Sequence, residues 1–328
     1  MLNFLIRRLF YMLITLIFIS FISFIIVELP EGTFLDVRLN QLRMQGGNIA
    51  QDQIDEIVRR YGLNDPFYVR YQKWITGFVQ GDFGLSFALD KPVSEVIWGR
   101  LGFTLGMSLT SLVFSWVISI PLGVYSATHR YTFWDNVLTA IQFIGFAIPS
   151  FLLALVLVLF AVRVIKQDSV IGLFSSQYQQ APWSWAKFFD LLKHLWIPLI
   201  VLTLSSTAWL SRVMRGNLLD VLNMQYIQTA RAKGLSERVV IWKHAMRNSI
   251  HPLVMSLGMA LPSLISSGGV LEVVLNLPSA GPLMFQSQMN QDIYLAVTFL
   301  TMLSLAIVIG NFIADLLLAW VDPRIRLE

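Results

Sequence analysis

Cysteine is absent from this chain and histidine occurs only 4 times, so disulfides and thiolate-bound metals are excluded. Charge is nearly as scarce. Lys, Arg, Asp and Glu make up 13% of the 328 residues, about half the share of an ordinary soluble domain. No Gly-x-x-x-x-Gly-Lys-Ser/Thr sequence occurs, so the chain has no P-loop of its own to cradle nucleotide phosphates. His129, His194, His244 and His251 fall in loops or at the ends of apolar runs, and none forms a His-x-x-x-His or Glu-paired metal motif. These gaps speak against a membrane-embedded metalloenzyme and against ATP hydrolysis by this chain.

What fills the sequence instead is apolar: 55% of residues are hydrophobic and the mean hydropathy is +0.64. Roughly 20 apolar residues in helical form cross about 30 Å of hydrocarbon, and backbone groups in lipid must bond internally. Six such runs are expected as transmembrane helices, near 9–29, 103–124, 137–164, 195–214, 253–275 and 295–321. The first follows Arg7 and Arg8, outlasts the hydrophobic stretch of a signal peptide and lacks a small-x-small cleavage site, so it reads as a retained anchor.

Loop charge sets the orientation. After the fourth run come Arg212, Arg215, Arg231, Lys233, Arg238, Lys243 and Arg247 against only Asp220 and Glu237, the excess that marks a cytoplasmic loop. Segment 30–100 mixes both signs almost evenly and segment 276–293 has no Lys or Arg, so both are expected outside. Six crossings then put both termini, including Arg324 and Arg326, in the cytoplasm. The net charge of +4 is accounted for by orientation and calls for no nucleic acid.

The outer segment has signals of its own. Asn48 and Gln51 form a capping box ahead of Ile54, Ile57, Val58 and Tyr61 on one helical face, ended by Gly62. A second helix is predicted after Pro66. Its Phe67, Tyr71, Trp74, Ile75 and Phe78 make an aromatic face expected at the membrane interface or the protein rim, before Gly81-Asp-Phe-Gly84 interrupts. This segment reads equally as a cap that meets a delivery protein or as an ordinary packed loop domain.

Within the runs, Pro121, Pro149, Pro198 and Pro262 with Gly268-Gly269 are expected to break helices. Irregular backbone at membrane depth survives where protein or water satisfies it. Pro262, Ser263, Ser266, Ser267, Gly268 and Gly269 are therefore pathway candidates, with close helix packing through small residues as the alternative. Charged residues inside the runs reduce to Glu272 and Asp315, both expected near hydrated interfaces. That scarcity disfavours a carrier driven by an ion gradient, which needs ionisable groups near the midplane.

The basic loop is the most specific feature. Residues 224–233 are helix-compatible, Gly234 stops them, and Ser236 is positioned to cap a second short helix through Trp242 to Arg247. Two short helices and a turn make a knob suited to docking.

At this loop the chain resembles the permeases of the peptide/nickel family of ATP-binding-cassette importers. Gln228-Thr229-Ala230-x-x-x-Gly234 stands where such permeases have Glu-Ala-Ala-x-x-x-Gly, and 229–235 is similar to the peptide-family form. Gln228 replaces the leading glutamate, and the downstream proline arrives late, at Pro252. Further similarities are Leu5-Ile-Arg-Arg-Leu9, Tyr61-Gly-Leu-Asn-Asp-Pro66, Gly81-Asp-Phe-Gly-Leu-Ser86 and Asp322-Pro-Arg-Ile-Arg326. In 275–282 the sequence Leu-Asn-Leu-Pro-Ser-Ala-Gly-Pro departs from the aromatic and Pro-Gly-Leu-Gly turn of peptide permeases.

The resemblance implies an all-α integral membrane protein with the type I importer permease fold. It implies an amino-terminal helix at 1–29, an extracytoplasmic helical segment at 30–100, and a five-helix core at 101–328 containing a cytoplasmic coupling loop at 215–251. The implied coupling residues are Gln228, Thr229, Ala230, Arg231, Ala232, Lys233, Gly234 and Leu235. Arg231, Lys233 and Arg238 are available to pair with acidic residues of an ATPase, while Gly234 and the apolar face around it are expected to matter more. Implied partners are a homologous second permease, two ATPase subunits that hold ATP and Mg, a substrate-binding protein outside, and the lipid bilayer of a bacterial or archaeal cytoplasmic membrane. No cofactor is expected on this chain. The implied cargo is di- and oligopeptides, with oligosaccharides or nickel as alternatives. An ion-driven carrier and a membrane scaffold are the rivals from other classes.

Overall fold

A computed structural model describes residues 2–29, 44, 56, 59, 65–86, 88–167, 169–257 and 269–321. The capping box at Asn48 and Gln51 and the pathway candidates Pro262, Ser263, Ser266, Ser267 and Gly268 lie outside the described residues. The chain is mostly helical and divides into two compact units, Met1–Thr104 with Ser279–Val308, and Leu105–Pro278 with Ile309–Glu328.

In the first unit, α1 (Leu2–Glu28) packs against α2 (Phe67–Gln80). The aromatic face of α2 has a protein partner: Phe67, Tyr71, Trp74, Ile75 and Phe78 pack onto Phe24 and Val297. On α1, Phe21 and Phe24 meet Tyr71 edge-on at centroid distances of 5.2 and 5.6 Å, the tilt that ring quadrupoles favour. Polar contacts fix the register: Ser20 Oγ lies 2.8 Å from Tyr71 OH, and Arg70 pairs with Glu28 at 2.6 Å. Gly81, at φ +85°, ends α2, with its N–H bonded to Phe78 O and that of Asp82 to Gly77 O.

A two-residue antiparallel hairpin follows, β1 (Leu85–Ser86) with β2 (Lys91–Pro92). It leads into α3 (Val93–Thr128). Asp292, fully buried, ties this hairpin to the start of α12 (Ile293–Val321). Its carboxylate accepts from Ser86 Oγ at 2.6 Å and from the Ala88 N–H at 3.1 Å, and it caps α12 through the Leu295 N–H. Around it Phe83, Val93, Ile97, Leu283 and Leu295 form an apolar cluster, Leu283 coming from α11 (Ala280–Met289).

The second unit is organised on α6 (Trp185–Leu222). Small residues let neighbours close on it, as packing in lipid requires. A Cβ on Gly123 of α3 would stand 2.7 Å from Met214 Cβ, and one on Gly145 of α4 (Phe133–Ala147) 2.9 Å from Leu204 Cγ. Asp135, at the start of α4 and 1% exposed, receives Arg215 Nη2 at 2.7 Å and the Tyr131 N–H at 3.0 Å.

Of the expected breakers with described backbone, only Pro149 breaks anything. The 137–164 run is two arms, α4 and α5 (Ser150–Phe160, continued by a π turn Ala161–Ile165), meeting at 106°. Ile148 ahead of the proline takes an extended ψ of 125°, the conformation a following proline ring favours. Pro121 and Pro198 sit inside α3 and α6, which run on unbroken. Each proline removes a single backbone hydrogen bond, and packing against neighbouring helices absorbs that loss.

Four described helices are long and apolar enough to cross a membrane, within α1, α3, α6 and α12, or five if the bent pair is one span. The expected 253–275 span includes residues outside the described set; its described parts are helical residues 253–257 and α10 (Gly269–Val274). Glu272 on α10 is buried, at 4% exposure, rather than hydrated at an interface. Its helix packs against α5, which removes that face from solvent.

Asp292→Ala removes the acceptor that three donors share, with hydrogen bonds to a charged group worth about 1.5–3 kcal/mol each. Its unfolding free energy in detergent should drop by about 3 kcal/mol or more, with Asp292→Asn between it and the parent. Unchanged denaturation midpoints would show that the hairpin does not depend on this carboxylate.

Candidate functional site

The basic loop grows directly out of α6. Asn223 closes that helix, and Met224 turns extended at φ −73° and ψ 148°. Its carbonyl accepts from the N–H groups of Ile227 and Gln228, starting α7 (Gln225–Ala232) almost without a linker. Two positions of α7 point inward: Ile227 is fully buried and Ala230 6% exposed. They join Leu210, Met214, Leu218 and Val221 of α6, together with Val124, Val240, Ala245 and Leu253, in one apolar cluster.

The end of α7 is a Schellman turn. The Leu235 N–H reaches Ala230 O at 3.4 Å, the Gly234 N–H reaches Arg231 O at 2.9 Å, and Gly234 sits at φ +76°. A Cβ built on Gly234 would meet nothing within 4 Å, so the need for glycine is conformational and not a matter of space.

Beyond the turn, α8 (Glu237–Val239) runs on as a π turn, Val240–Ala245, and then α9 (Met246–Ser249). The expected Ser236 cap is corrected in one respect. The helix does start after Ser236, but its side chain makes no capping bond. The Ser236 carbonyl instead accepts from the N–H groups of Val239 and Val240. Across the turn Arg231 grips Glu237 with two nitrogens, Nε to Oε1 at 2.7 Å and Nη2 to Oε2 at 3.3 Å. Asn248 Nδ2 donates to Tyr226 OH at 2.8 Å, joining α7 to α9.

The structure thus sorts the eight motif residues. Gln228, Thr229, Ala232, Lys233, Gly234 and Leu235 are exposed, Ala230 is core, and Arg231 is half-buried and already paired within the loop. Thr229 Oγ1 is turned back onto Gln225 O at 3.0 Å. Gly269, the one described pathway candidate, opens α10.

The apolar face expected around Gly234 gains its residues here, since Met224, Tyr226, Leu235, Val239 and Trp242 are all exposed. Large apolar side chains in a charged loop too short to hold another span were the available signal. Sequence reasoning missed the Asp135–Arg215 pair, whose partners lie 80 positions apart and share no local pattern. A further omission is the ordered connection between α5 and α6. There Asp190 accepts from the Ser175 N–H and Oγ, and Lys187 Nζ donates to Ala181 O while lying 4.7 Å from the Phe174 ring centroid.

A multi-pass helical protein with a two-helix projection rooted in one of its longest helices has the build of a membrane transport subunit. Residues 119–327 match the family described as binding-protein-dependent transport system inner membrane component, and residues 1–110 match the amino-terminal region of such membrane components. The chain belongs to this family of inner membrane permeases.

Among its relatives, the oligopeptide transport system permease protein AppB of Bacillus subtilis (strain 168) is 37% identical, over 98% of this chain and 99% of that one. The glutathione transport system permease protein GsiC of Escherichia coli (strain K12) is 31% identical over 99% of both. The nickel import system permease protein NikB of Staphylococcus aureus (strain USA300) is 29% identical over 98% of this chain and 91% of its own. A chain from the inward-facing MetNI methionine ABC transporter shares the fold, with a TM-score of 0.52 at 20% identity, over 67% of this chain and 93% of that chain.

Because Gly234 occupies αL with free space around it, side-chain type should decide tolerance. Gly234→Val forces a β-branched residue to positive φ, at about 1–3 kcal/mol of strain, and should cut substrate uptake about tenfold or more. Gly234→Asn, which accepts αL, should stay within about twofold of the parent. Equal uptake by both variants in cells would show that this turn has no part in transport.

Proposed function

We propose that this chain is one permease subunit of an ATP-driven importer that carries di- and oligopeptides across the cytoplasmic membrane. The single observation that carries the reading is the exposed α7 surface, rooted by Ile227 and Ala230 in the same apolar core as α6. A push on that surface is a push on a long apolar helix. The peptide cargo draws on the relatives, two of which are named for oligopeptide and glutathione transport. Nickel import, named for a third, is the second reading.

In this proposal six helices span the membrane, segment 30–100 lies outside, and both termini face the cytoplasm, as loop charge demands. A homologous second permease completes the pathway. Two ATPase subunits, which hold ATP and Mg, take the exposed motif residues Gln228, Thr229, Ala232, Lys233, Gly234 and Leu235 into a docking surface. A binding protein delivers peptide from outside. ATP then shifts the inward/outward equilibrium only as far as its differential affinity for the two states allows. Reversing a 1:99 population takes about 5.5 kcal/mol, so the loop has to pass force without yielding.

Arg231 spends its guanidinium on Glu237. Exposed ion pairs are worth about 0–1 kcal/mol, and the apolar group of Met224, Leu235, Val239 and Trp242 offers the larger share of docking energy. The test is affinity purification in mild detergent from cells expressing the parent and Leu235→Asp/Trp242→Asp, with uptake of a labelled tripeptide measured in parallel. The parent should retain an ATPase and a second permease, and the variant should lose the ATPase and at least about nine-tenths of uptake. Uptake that ignores loss of the ATPase but collapses with an ionophore would instead establish an ion-driven carrier.

A further inference from the structure

The loop-charge pattern counts Arg212 with the cytoplasmic connection, yet this residue sits inside α6, about 15 Å along the helix before its end at Leu222. The next arginine of the same helix, Arg215, is spent on Asp135. Arg212 is exposed and has neither a hydrogen bond nor an ion pair among the described residues. What holds it is aromatic: its guanidinium carbon lies 4.7 Å from the ring centroid of Phe143 and 5.4 Å from that of Phe146, both on α4 and both exposed. Rings at that range attract a cation and leave its N–H donors free for another partner.

The direction of the side chain decides what it can serve. Asp135 meets Arg215 and Gly145 faces Leu204, so α4 and α6 run antiparallel. At about 1.5 Å per residue, Phe143 and Phe146 stand roughly 12 and 16 Å along α4 from Asp135, whereas Arg212 is only about 5 Å along α6 from Arg215. The guanidinium therefore leans toward the amino end of α6, as helical side chains do. In the proposed topology that is away from the cytoplasm and into the span. An arginine serving lipid phosphate reaches toward the near interface instead. A cation at this depth needs a water-filled cavity or a polar partner in the assembled protein, because hydrocarbon holds it at high cost.

The charge selects the occupant. Nickel is repelled by it, and a neutral oligosaccharide brings no charge to answer it. A peptide carries one terminal carboxylate whatever its side chains, and a guanidinium takes a carboxylate through two parallel N–H bonds. We propose that Arg212, held over Phe143 and Phe146, lines the translocation pathway and binds the terminal carboxylate of a peptide in transit. The inference rests on the peptide-importer reading above and adds to it a residue that reads the cargo. A hydrated pair of this kind is weak enough to let the peptide go, as transport requires.

The experiment uses the complete importer in proteoliposomes supplied with ATP, its binding protein saturated by trialanine or by trialanine amide, which lacks the carboxylate. The same loaded binding protein serves every variant, so a change in the ratio of acid to amide uptake belongs to this subunit. Arg212→Gln should lower that ratio at least about tenfold relative to the parent, and Arg212→Lys, which keeps the charge, should stay within about threefold. Because the chain has no cysteine, Phe146→Cys adds a thiol unique in this subunit beside an intact Arg212. Its labelling by a membrane-permeant maleimide should slow at least about threefold during turnover with trialanine, and less with the amide, a readout that stands even where Arg212→Gln fails to assemble. An unaltered ratio in Arg212→Gln, or labelling equally fast with and without trialanine, would overturn the assignment and leave the importer standing. Equal loss of both peptides, matched by the parent when anionic phospholipid is left out of the vesicles, would overturn it in favour of a lipid headgroup. Equal loss whatever the lipid would overturn it in favour of a carboxylate on the partner permease. No uptake of either peptide by the parent complex would overturn the importer reading and the inference together.

Discussion

Everything the loop can do depends on the burial of Ile227. It is fully buried, it belongs to the short exposed helix, and the residues around it include four from α6. Burying a side chain of this size is worth about 1.5–3 kcal/mol, and Ala230, Val240 and Ala245 add to the same cluster. The sum is comparable with the roughly 5.5 kcal/mol that a reversal between two states demands. A helix held only by its connecting chain would swing under load; α7, sharing a cluster with α6, is tied to it. Close-packed apolar interiors transmit strain in that way because they have little free volume to absorb it.

The same helix gathers the rest of its unit. Gly123 and Gly145 bring α3 and α4 against α6 at distances no larger residue permits. Near its far end Arg215 reaches the buried carboxylate of Asp135 at the start of α4. Removing one partner of such a pair leaves an uncompensated charge, typically about 3–5 kcal/mol, so α4 and α6 are bound to a common register there. The first unit uses Asp292 in a comparable way, with one buried carboxylate serving a hairpin and a helix start. In both cases the polar anchor lies at a helix terminus, where spare N–H groups are available to satisfy it.

Legibility in the sequence tracked the range of the physics. Gly234 could be read because a Schellman turn is a local event that glycine favours above other residues. The helix after Pro66 and its aromatic spacing could be read for the same reason, but its partner could not: periodicity reports a face, and only Phe21 and Phe24 of α1 decide that the face turns inward. Prolines showed the limit clearly. Pro121, Pro149 and Pro198 look alike in sequence, yet the chain bends at Pro149 alone, where Ile148 is extended, and stays helical through the other two. Buried charge was least legible. Hydropathy placed Glu272 at an interface, whereas its helix packs against α5 and hides it, and Asp135 with Arg215 became a pair only in three dimensions.

The internal pairing of Arg231 bears on how the proposed docking of an ATPase would work. A basic loop suggests charge complementarity, but the most motif-central cation is already forked onto Glu237, six residues on and across the Gly234 turn. Its geometry is bidentate, so it stiffens the turn instead of advertising a free charge. Lys233 remains exposed beside it, yet a lone exposed lysine contributes to the rate of encounter more than to the strength of a complex. Shape then becomes the discriminating quantity. A rigid turn flanked by Leu235, Val239 and Trp242 presents apolar anchors at fixed positions, and anchors of that kind in a closely matched recess carry most of the energy of an interface. In the proposed topology, orientation in the membrane is the remaining use for the loop's positive charge, and it asks nothing of any single residue.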